Sequence, residues 1–383
     1  MKLSGLFNDF FHNEKASGIL LIACTVVSLA LSNCGFDGYQ HFWHSPMAGQ
    51  TIEYWINDGL MTVFFLLIGL ELEREIYIGE LANFKDALFP IFGALGGMLV
   101  PAGIFLMFNF GTATQSGAGI PMATDIAFAL AVLSLLGSRV PIALKVFLTA
   151  LAVIDDLGAI LVIAFFYTKS LDFTNLFIAL GIFGLLLIFN RLKVRNLFPY
   201  LIGGILMWYF MLHSGVHATI TGVLLAFAIP FGNGDEKSTS FILQDFLHKP
   251  VAFLILPLFA LANTAIFLGS DVGETLSQHY SIGIALGLIV GKPLGIFLLT
   301  YVASAFGWCK LPEDLNWKTI LGVGFLGGIG FTMSIFITLL AFDDQDIINN
   351  SKLVILLSSL VAGLAGFLFL KINLKGNTAL DIN

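Results

Sequence analysis

Hydrophobic residues in this chain form long runs that short polar links separate. Most runs are about 17 to 25 residues long, the length that a helix needs to cross a hydrocarbon core of roughly 30 Å. Because such runs recur along the whole chain, the pattern predicts an all-α, polytopic membrane protein with a single integral membrane domain over 1–383. About twelve transmembrane helices are predicted, near 16–34, 57–77, 88–108, 121–136, 141–167, 174–190, 197–213, 216–231, 250–268, 282–306, 319–341 and 351–371.

The lysines and arginines give an independent test of this topology, because hydropathy alone defines the helices. Twelve helices place both termini on one side, and nearly all of the 18 basic residues lie on that side. Lys169 and Lys352 alone fall on the opposite side, and Lys292 falls inside a helix. Since short loops rich in Lys and Arg stay in the cytoplasm, both termini are predicted to be cytoplasmic.

Composition agrees with a membrane protein. Hydrophobic residues make up 57% of the chain and charged residues 11%, with a mean hydropathy of +0.92, whereas soluble domains carry roughly a quarter charged residues. The formal charge is -7, and the basic residues are scattered over short loops instead of forming a stripe. The chain is therefore predicted to have the lipid bilayer as its partner and no nucleic acid.

Two of the predicted helices contain residues that would interrupt them. The fourth opens near Pro121 and carries Thr124 and Asp125, and each interrupted helix is the middle member of a three-helix set, at about 88–167 or 282–371. The glycines of the eleventh helix are Gly322, Gly324, Gly327, Gly328 and Gly330. Interruptions at matching places in two sets that begin on opposite faces predict inverted repeats with a binding site between them, the other helices serving as interface or scaffold. The glycines alone are equally compatible with close helix packing.

Four ionisable side chains fall well inside the apolar runs, namely Asp125, Asp155, Asp156 and Lys292. Each costs about 2.5 to 3.5 kcal/mol at the centre of a membrane helix, and one lysine does not neutralise three acids. A structural ion pair with Lys292 therefore accounts for one aspartate at most. This surplus of acids favours a functional site.

Asp155 and Asp156 are adjacent, so on a helix their side chains point about 100° apart. One of them can meet Lys292 while the other meets a cation. A carboxylate removed from water needs either a proton or a counter-ion, so protons and a hard cation compete for the same oxygens. The prediction is a site for transported Na+, with Thr124 and unwound backbone carbonyls completing the ligand shell.

The ends of broken helices carry partial charges, positive at amino ends and negative at carboxyl ends. Asp125 and Lys292 have the signs that would offset them. For Asp125, charge compensation and direct ligation of the ion both remain open at this point.

A second group of charges, Glu71, Arg74 and Glu75, lies at helical spacing where the second helix ends. Such a group is usually a solvated helix end, and the alternative is an ion funnel or a pH sensor. His217 begins a predicted helix, where it either caps and packs or responds to pH.

The residues at these positions closely resemble the NhaA-type sodium/proton antiporters. The matching stretches run in order through nearly the whole chain, at 55–67, 123–130 (ATDIAFAL), 137–141 (GSRVP), 154–160 (IDDLGAI), 214–219 (SGVHAT), 256–260 (LPLFA), 291–295 (GKPLG) and 328–335 (GIGFTMSI). The resemblance implies a secondary transporter, not an enzyme, in the inner membrane of a bacterium. It implies electrogenic, pH-regulated export of sodium or lithium in exchange for protons, with no cofactor.

The same resemblance assigns roles residue by residue. Asp156 resembles the principal cation ligand, with Asp155 beside it as the salt-bridge partner of Lys292, while Thr124 and Asp125 resemble the break of the fourth helix. The implied pH-response group is Glu71, Arg74, Glu75, His217 and His248. Asp58 matches a position on the ion path.

Two segments depart from that family. The regulatory segment before the ninth helix has Gln244 and Asp245 and keeps only its last histidine, His248. The first external loop, 35–54, is shorter than in members that dimerise through a β-hairpin there. A homodimer is therefore compatible with the sequence, but its interface is not fixed.

Two rival functions can be compared with the same residues. An intramembrane aspartyl protease also needs two membrane aspartates, and the string GNGD at 232–235 has the form of its motif. That string lies in a polar loop, so it is predicted to be a turn. A sodium-coupled organic-anion symporter would need a basic partner for its substrate, and no arginine lies mid-membrane.

Overall fold

The computed structural model describes residues 3–34, 37–168, 171–267 and 272–374, with side chains from residue 15 onward except at residue 37. Lys169, one of the two basic residues predicted on the outer side, lies outside the described residues. Helices dominate the described chain, as the sequence predicts, and the all-α class is confirmed.

Twelve long helical segments follow one another in the predicted order. They are α1 (Leu3–Asn33), α2 (Ile52–Tyr77), α3 (Phe84–Asn109), α4 (Gln115–Ser134), α5 (Ile142–Phe166), α6 (Phe173–Arg191), α7 (Phe198–His213), α8 (Ile220–Ala228), α9 (Thr239–Asn263), α10 (His279–Ala305), α11 (Trp317–Gly327 with Phe331–Ala341) and α12 (Gln345–Asn373). Short helices, Asp37–Trp43 and Val272–Ser277, lie between them.

Some of these helical segments are shorter than a membrane crossing requires. Within the described ranges, nine helices are long and apolar enough to cross a membrane, or ten when the bent pair of α11 counts as one span. Helix α7 is apolar but has 16 residues, and α8 has nine. The structure thus confirms a polytopic membrane protein, while the count of twelve spans remains a prediction.

Both predicted interruptions are present. In α4 a 3-10 helix ends at Met122, Ala123 and Asp125 have extended backbones, and an α-helix begins at Ile126. In α11 the helix stops at Gly327 and resumes at Phe331, with a bend of 48° between the halves. The inverted relation between the two three-helix sets remains a prediction.

The packing interpretation of the glycines holds for the first half of α11. Gly322 and Gly324 lie inside a continuous helix, and a Cβ added at Gly324 would stand 2.7 Å from the Cα of Pro293 in α10. Likewise, α3 and α10 cross where a Cβ at Gly96 or at Gly295 would overlap the other residue's carbonyl. Small residues therefore let these backbones approach closely around the breaks.

The start of α9 corrects a predicted boundary. Hydropathy predicts a helix from residue 250, whereas α9 begins at Thr239 because the Ser238 hydroxyl caps it by accepting a hydrogen bond from Phe241 N at 3.4 Å. The added turns carry polar residues, including His248, so they form a helix without adding to an apolar run.

A two-residue β-hairpin lies between α1 and α2. Pro46–Met47 pairs antiparallel with Gln50–Thr51, and Ala48 and Gly49 both have positive φ, which is typical of the tight turns that join paired strands. The Trp55 indole N–H donates to Met47 O at 2.8 Å and ties the hairpin to the start of α2. We call the side of the molecule that carries this hairpin the hairpin face.

Candidate functional site

The broken stretches of α4 and α11 lie against each other. Asp125 N donates to Ile329 O at 2.7 Å, and the Thr124 hydroxyl lies 2.9 Å from Gly327 O. The break in α11 thereby supplies an acceptor for a backbone N–H at the break in α4, while Gly327 O and Asp155 Oδ2 share the single proton of the Thr124 hydroxyl. Non-helical backbone at membrane depth is tolerated when it is buried in protein in this way.

Asp125 binds the amino ends of both half-helices that leave the crossing. Its Oδ1 accepts from Phe128 N at 2.9 Å, and its Oδ2 accepts from Thr332 N at 3.1 Å and from the Thr332 hydroxyl at 2.5 Å. Negative charge at a helix amino end is favourable, and Asp125 meets two such ends at once. This arrangement matches the charge-compensating alternative for Asp125.

Lys292 meets the opposite kind of charge. It follows a π-helical turn, Gly287–Gly291, in α10, its side chain is fully buried, and its ammonium donates to Met122 O and to Asp155 Oδ2. Met122 ends the 3-10 half of α4, where carbonyl groups give partial negative charge. The predicted ion pair between Lys292 and Asp155 is present.

Asp155 uses only one of its two oxygens in these contacts. Its Oδ2 accepts from Lys292 and from the Thr124 hydroxyl, the latter at 2.7 Å. Its Oδ1 is buried and has no hydrogen-bond partner among the described residues. One oxygen of Asp155 is therefore still open to a ligand.

Asp156 differs from the other buried charges. It is 1% exposed, and neither of its carboxylate oxygens has a hydrogen-bond partner in the part of the chain that the structure describes. Asp155 precedes it in α5, and Lys292 pairs with the Asp155 carboxylate. A carboxylate in such surroundings needs a proton or a cation to become favourable.

The carboxylate oxygens that have no partner among the described residues are of the type that a hard cation prefers. Asp156 offers two and Asp155 one, and the Thr124 hydroxyl is bonded to Asp155 next to them. Sodium favours oxygen ligands, as other hard cations do. Of the residues proposed as cation ligands, Thr124 and Asp155 are in direct contact, and Asp156 is the neighbour of Asp155 in α5.

The charges at the end of α2 meet the polar start of α9. Glu71 Oε1 lies 3.2 Å from His248 Nε2, and the Arg74 guanidinium lies over the Phe241 ring, 4.7 Å from its centroid. Glu75 instead accepts a hydrogen bond from Glu80 N at 3.0 Å. The sequence did not anticipate that His248 contacts Glu71 directly, because hydropathy misses the helix that carries the histidine.

The remaining predicted residues lie elsewhere. Asp58 sits in a π-helical turn of α2, Trp55–Leu60, where the Tyr54 hydroxyl donates to it at 3.4 Å. His217 is half-buried in the turn that precedes α8, and its carbonyl accepts from Ile220 N at 3.2 Å.

The protease-like string GNGD is a turn, as predicted. It lies between α8 and α9, and Gly232 and Gly234 have positive φ, so the chain reverses direction there. Asp235 Oδ1 accepts from Lys237 N at 3.2 Å within the same loop. This aspartate is outside the helices and has no place in a membrane active site.

Comparisons with known proteins agree with the resemblance seen in the sequence. Residues 8–370 match the family model described as Na+/H+ antiporter 1. The chain is 74% identical to Na(+)/H(+) antiporter NhaA of Flavobacterium psychrophilum over 382 residues, which covers 100% of this chain and 99% of that protein. It is 62% identical to Na(+)/H(+) antiporter NhaA 1 of Flavobacterium johnsoniae, covering 98% and 99%, and 61% identical to Na(+)/H(+) antiporter NhaA of Cytophaga hutchinsonii, covering 98% and 97%.

Proposed function

This chain belongs to the Na+/H+ antiporter 1 family, and from that premise we propose that it exports sodium, or lithium, in exchange for protons at Asp155 and Asp156. Family membership supports sodium/proton antiport by a multi-pass membrane protein. The finer parts of the proposal are electrogenic exchange, regulation by pH, a place in the bacterial inner membrane and cytoplasmic termini.

One observation carries the assignment of the site. Asp156 is buried beside Asp155, and neither of its oxygens has a hydrogen-bond partner among the described residues. A permanently charged Asp156 would be costly there, so it is neutralised by turns, by a proton and by sodium. Competition for the same oxygens makes the two occupancies exclusive, which is the requirement for exchange.

The crossing supplies the rest of the transport cycle. The two repeats rock against the scaffold helices and open the site to one face at a time, with the carboxylates occupied in each direction. Electrogenic exchange requires more than one proton for each sodium ion. Asp155 or Lys292 is the second group that can bind a transported proton, because their ion pair adjoins Asp156.

Regulation by pH falls to the contact between Glu71 and His248. Both side chains are partly exposed, 19% and 30%, at the end of α2 opposite the hairpin face. With cytoplasmic termini this end faces the cytoplasm, and histidine is the side chain whose unperturbed charge changes near neutral pH. The contact joins the start of α9 to the end of α2, and we assign the pH response to this contact.

The alternative of a sodium-coupled organic-anion symporter is disfavoured by the same geometry. In such a symporter, the amino ends of the half-helices would bind the anionic substrate. Here the amino ends at Ile126 and Phe331 are already bound to the carboxylate of Asp125.

Proton flux in everted membrane vesicles tests the proposed function. Added sodium should dissipate an imposed pH gradient in vesicles that contain the native protein, and the response should vanish in Asp156→Asn. Asp235→Asn, an aspartate in the loop between α8 and α9, is the matched control and should exchange normally. Normal exchange by Asp156→Asn would show that Asp156 is not the cation-binding residue.

A further inference from the structure

An ion pair on the hairpin face joins two parts of the molecule that the transport cycle requires to separate. Lys352 Nζ lies 3.7 Å from Glu53 Oε1, with the lysine side chain 6% exposed and the glutamate 19%. Glu53 Oε2 also lies 3.4 Å from Nε2 of the exposed His44. Neither the composition nor the spacing of the sequence indicates this pair.

The two charged residues belong to different groups of helices. Glu53 begins α2, which packs on α8 so tightly that a Cβ at Gly69 would stand 2.6 Å from the Cβ of Ala226. Lys352 lies in α12, the last helix of the second predicted repeat. The pair therefore connects a scaffold helix to the repeat that holds α11.

Helix α12 also contacts the crossing of the two broken helices. The Ser359 hydroxyl accepts from Phe331 N at 3.1 Å, at the start of the second half of α11, and the next residue, Thr332, holds Asp125. Lys352 and Ser359 are separated by two helical turns on the same helix, about 10 Å. A displacement of α12 that separates Lys352 from Glu53 therefore also moves the amino end of the half-helix at the crossing.

We propose that Glu53 and Lys352 form a gate contact that holds the hairpin face closed and breaks when the ion site opens to that face. This inference rests on the proposed alternating access. Lys352 is almost fully buried in the closed arrangement, so its ammonium needs the carboxylate there. Opening admits water, which solvates both charges and makes the open arrangement attainable.

A reversible cross-link across the gate gives the direct test. In an active cysteine-free background, Glu53→Cys/Lys352→Cys is joined with a short bifunctional thiol reagent whose bonds a reductant cleaves. Sodium-dependent proton flux should fall at least about tenfold in the linked protein, since a locked two-state equilibrium leaves one face inaccessible, and it should return on reduction.

A pair within the repeat provides the matched control. Asn350 lies two residues from Lys352 on α12, and its Nδ2 donates to the Tyr280 hydroxyl in α10 at 3.2 Å. Both helices belong to the second predicted repeat, so Tyr280→Cys/Asn350→Cys should exchange at the same rate, linked or unlinked. Undiminished flux through the linked Glu53→Cys/Lys352→Cys protein would overturn the gate.

Uncharged glutamine variants provide a second test of the gate if the cysteine pair impairs the protein. Glu53→Gln and Lys352→Gln should each raise the half-saturating sodium concentration in everted vesicles by about two- to tenfold, because fewer molecules then face the cytoplasm. The double variant should resemble the single ones, since both remove the same contact. Unchanged sodium dependence in both single variants would also overturn the gate, whereas loss of exchange by the native protein would overturn the proposed function instead.

Discussion

The crossing of α4 and α11 and the adjoining turn of α5 both bury acids, but the two regions bind them differently. Asp125, at the crossing, is 2% exposed and accepts three hydrogen bonds, whereas Asp156, in α5, is 1% exposed and accepts none from the described residues. Burial is therefore the same for the two acids, and the number of hydrogen-bond donors around the carboxylate differs. Under the proposed function, the acid without donors is the one that exchanges its proton for sodium.

The largest effect is expected at Asp156, and it should fall on transport. Asp156→Asn keeps the shape of the side chain but removes a charged sodium ligand, which should weaken sodium binding by about 3–5 kcal/mol, or roughly 100-fold or more. Sodium-dependent proton flux should fall accordingly, while the melting temperature in detergent stays near the native value or rises. A strongly destabilised Asp156→Asn would show that this acid is structural after all.

The second-largest effect is expected at Lys292, where substitution should lower the stability of the protein. Lys292→Ala leaves Asp155 buried without its counter-charge and removes the donor to Met122 O, and losing one partner of a buried pair costs about 3–5 kcal/mol. Thermal unfolding in detergent should shift to lower temperature, more at alkaline than at acidic pH, because a protonated Asp155 needs no counter-charge. The pH dependence of exchange should shift with it.

The double variant Asp155→Asn/Lys292→Ala sharpens this result. It removes both charges, so it should recover part of the lost stability. An unchanged melting temperature and pH profile in Lys292→Ala would contradict a structural role for the ion pair.

A smaller loss of stability is expected at Thr332, on the Asp125 side of the comparison. Thr332→Val removes a hydroxyl that donates to a buried carboxylate, a contact worth about 1.5–3 kcal/mol. Thr332→Ser keeps the hydroxyl and should retain most of the stability, which thermal unfolding of the two variants can measure. Equal stability of the valine and serine variants would mean that the backbone donors suffice to hold Asp125.

The smallest effect on stability is expected at the contact between Glu71 and His248. A partly exposed pair of this kind contributes about 0.2–1 kcal/mol, so His248→Gln should leave the melting temperature nearly unchanged while altering the pH dependence of exchange. The exposed His213 at the end of α7, whose Nδ1 lies 2.7 Å from Tyr209 O, provides the control, and His213→Gln should keep the native profile. If His248→Gln and the native protein show the same pH dependence of exchange, the contact between Glu71 and His248 does not regulate transport.

Much of the fold follows from local sequence signals. Runs of apolar residues predict where the long helices lie, because the part of a helix that crosses a membrane must be apolar. The break near Pro121 is only partly local, because Pro90 and Pro101 lie inside the continuous helix α3 whereas Pro121 lies in the 3-10 half that precedes the break. The glycines of α11 are ambiguous by nature, because one residue type serves both for the break at Gly328 and for packing at Gly324.

The contacts of the site are only partly local. Adjacent positions on a helix predict that Asp155 and Asp156 face different neighbours, but Thr332 and Asp125 are 207 residues apart in the chain. Likewise, no periodicity relates Glu53 to Lys352, or Glu71 to His248. The sequence thus predicts which charged residues are buried at a free-energy cost, whereas the fold determines which of them have hydrogen-bond or ion-pair partners.

Proton release from the purified protein tests the central claim most directly. Sodium chloride is added to native protein and to Asp156→Asn in weakly buffered detergent solution, over a range of starting pH, and the released acid is titrated. Native protein should release protons as sodium binds, with a saturable dependence on sodium and no release on adding a bulky organic cation, and Asp156→Asn should release none. Saturable sodium binding to the native protein with no proton released at any pH would contradict the claim that the two ions compete for Asp156.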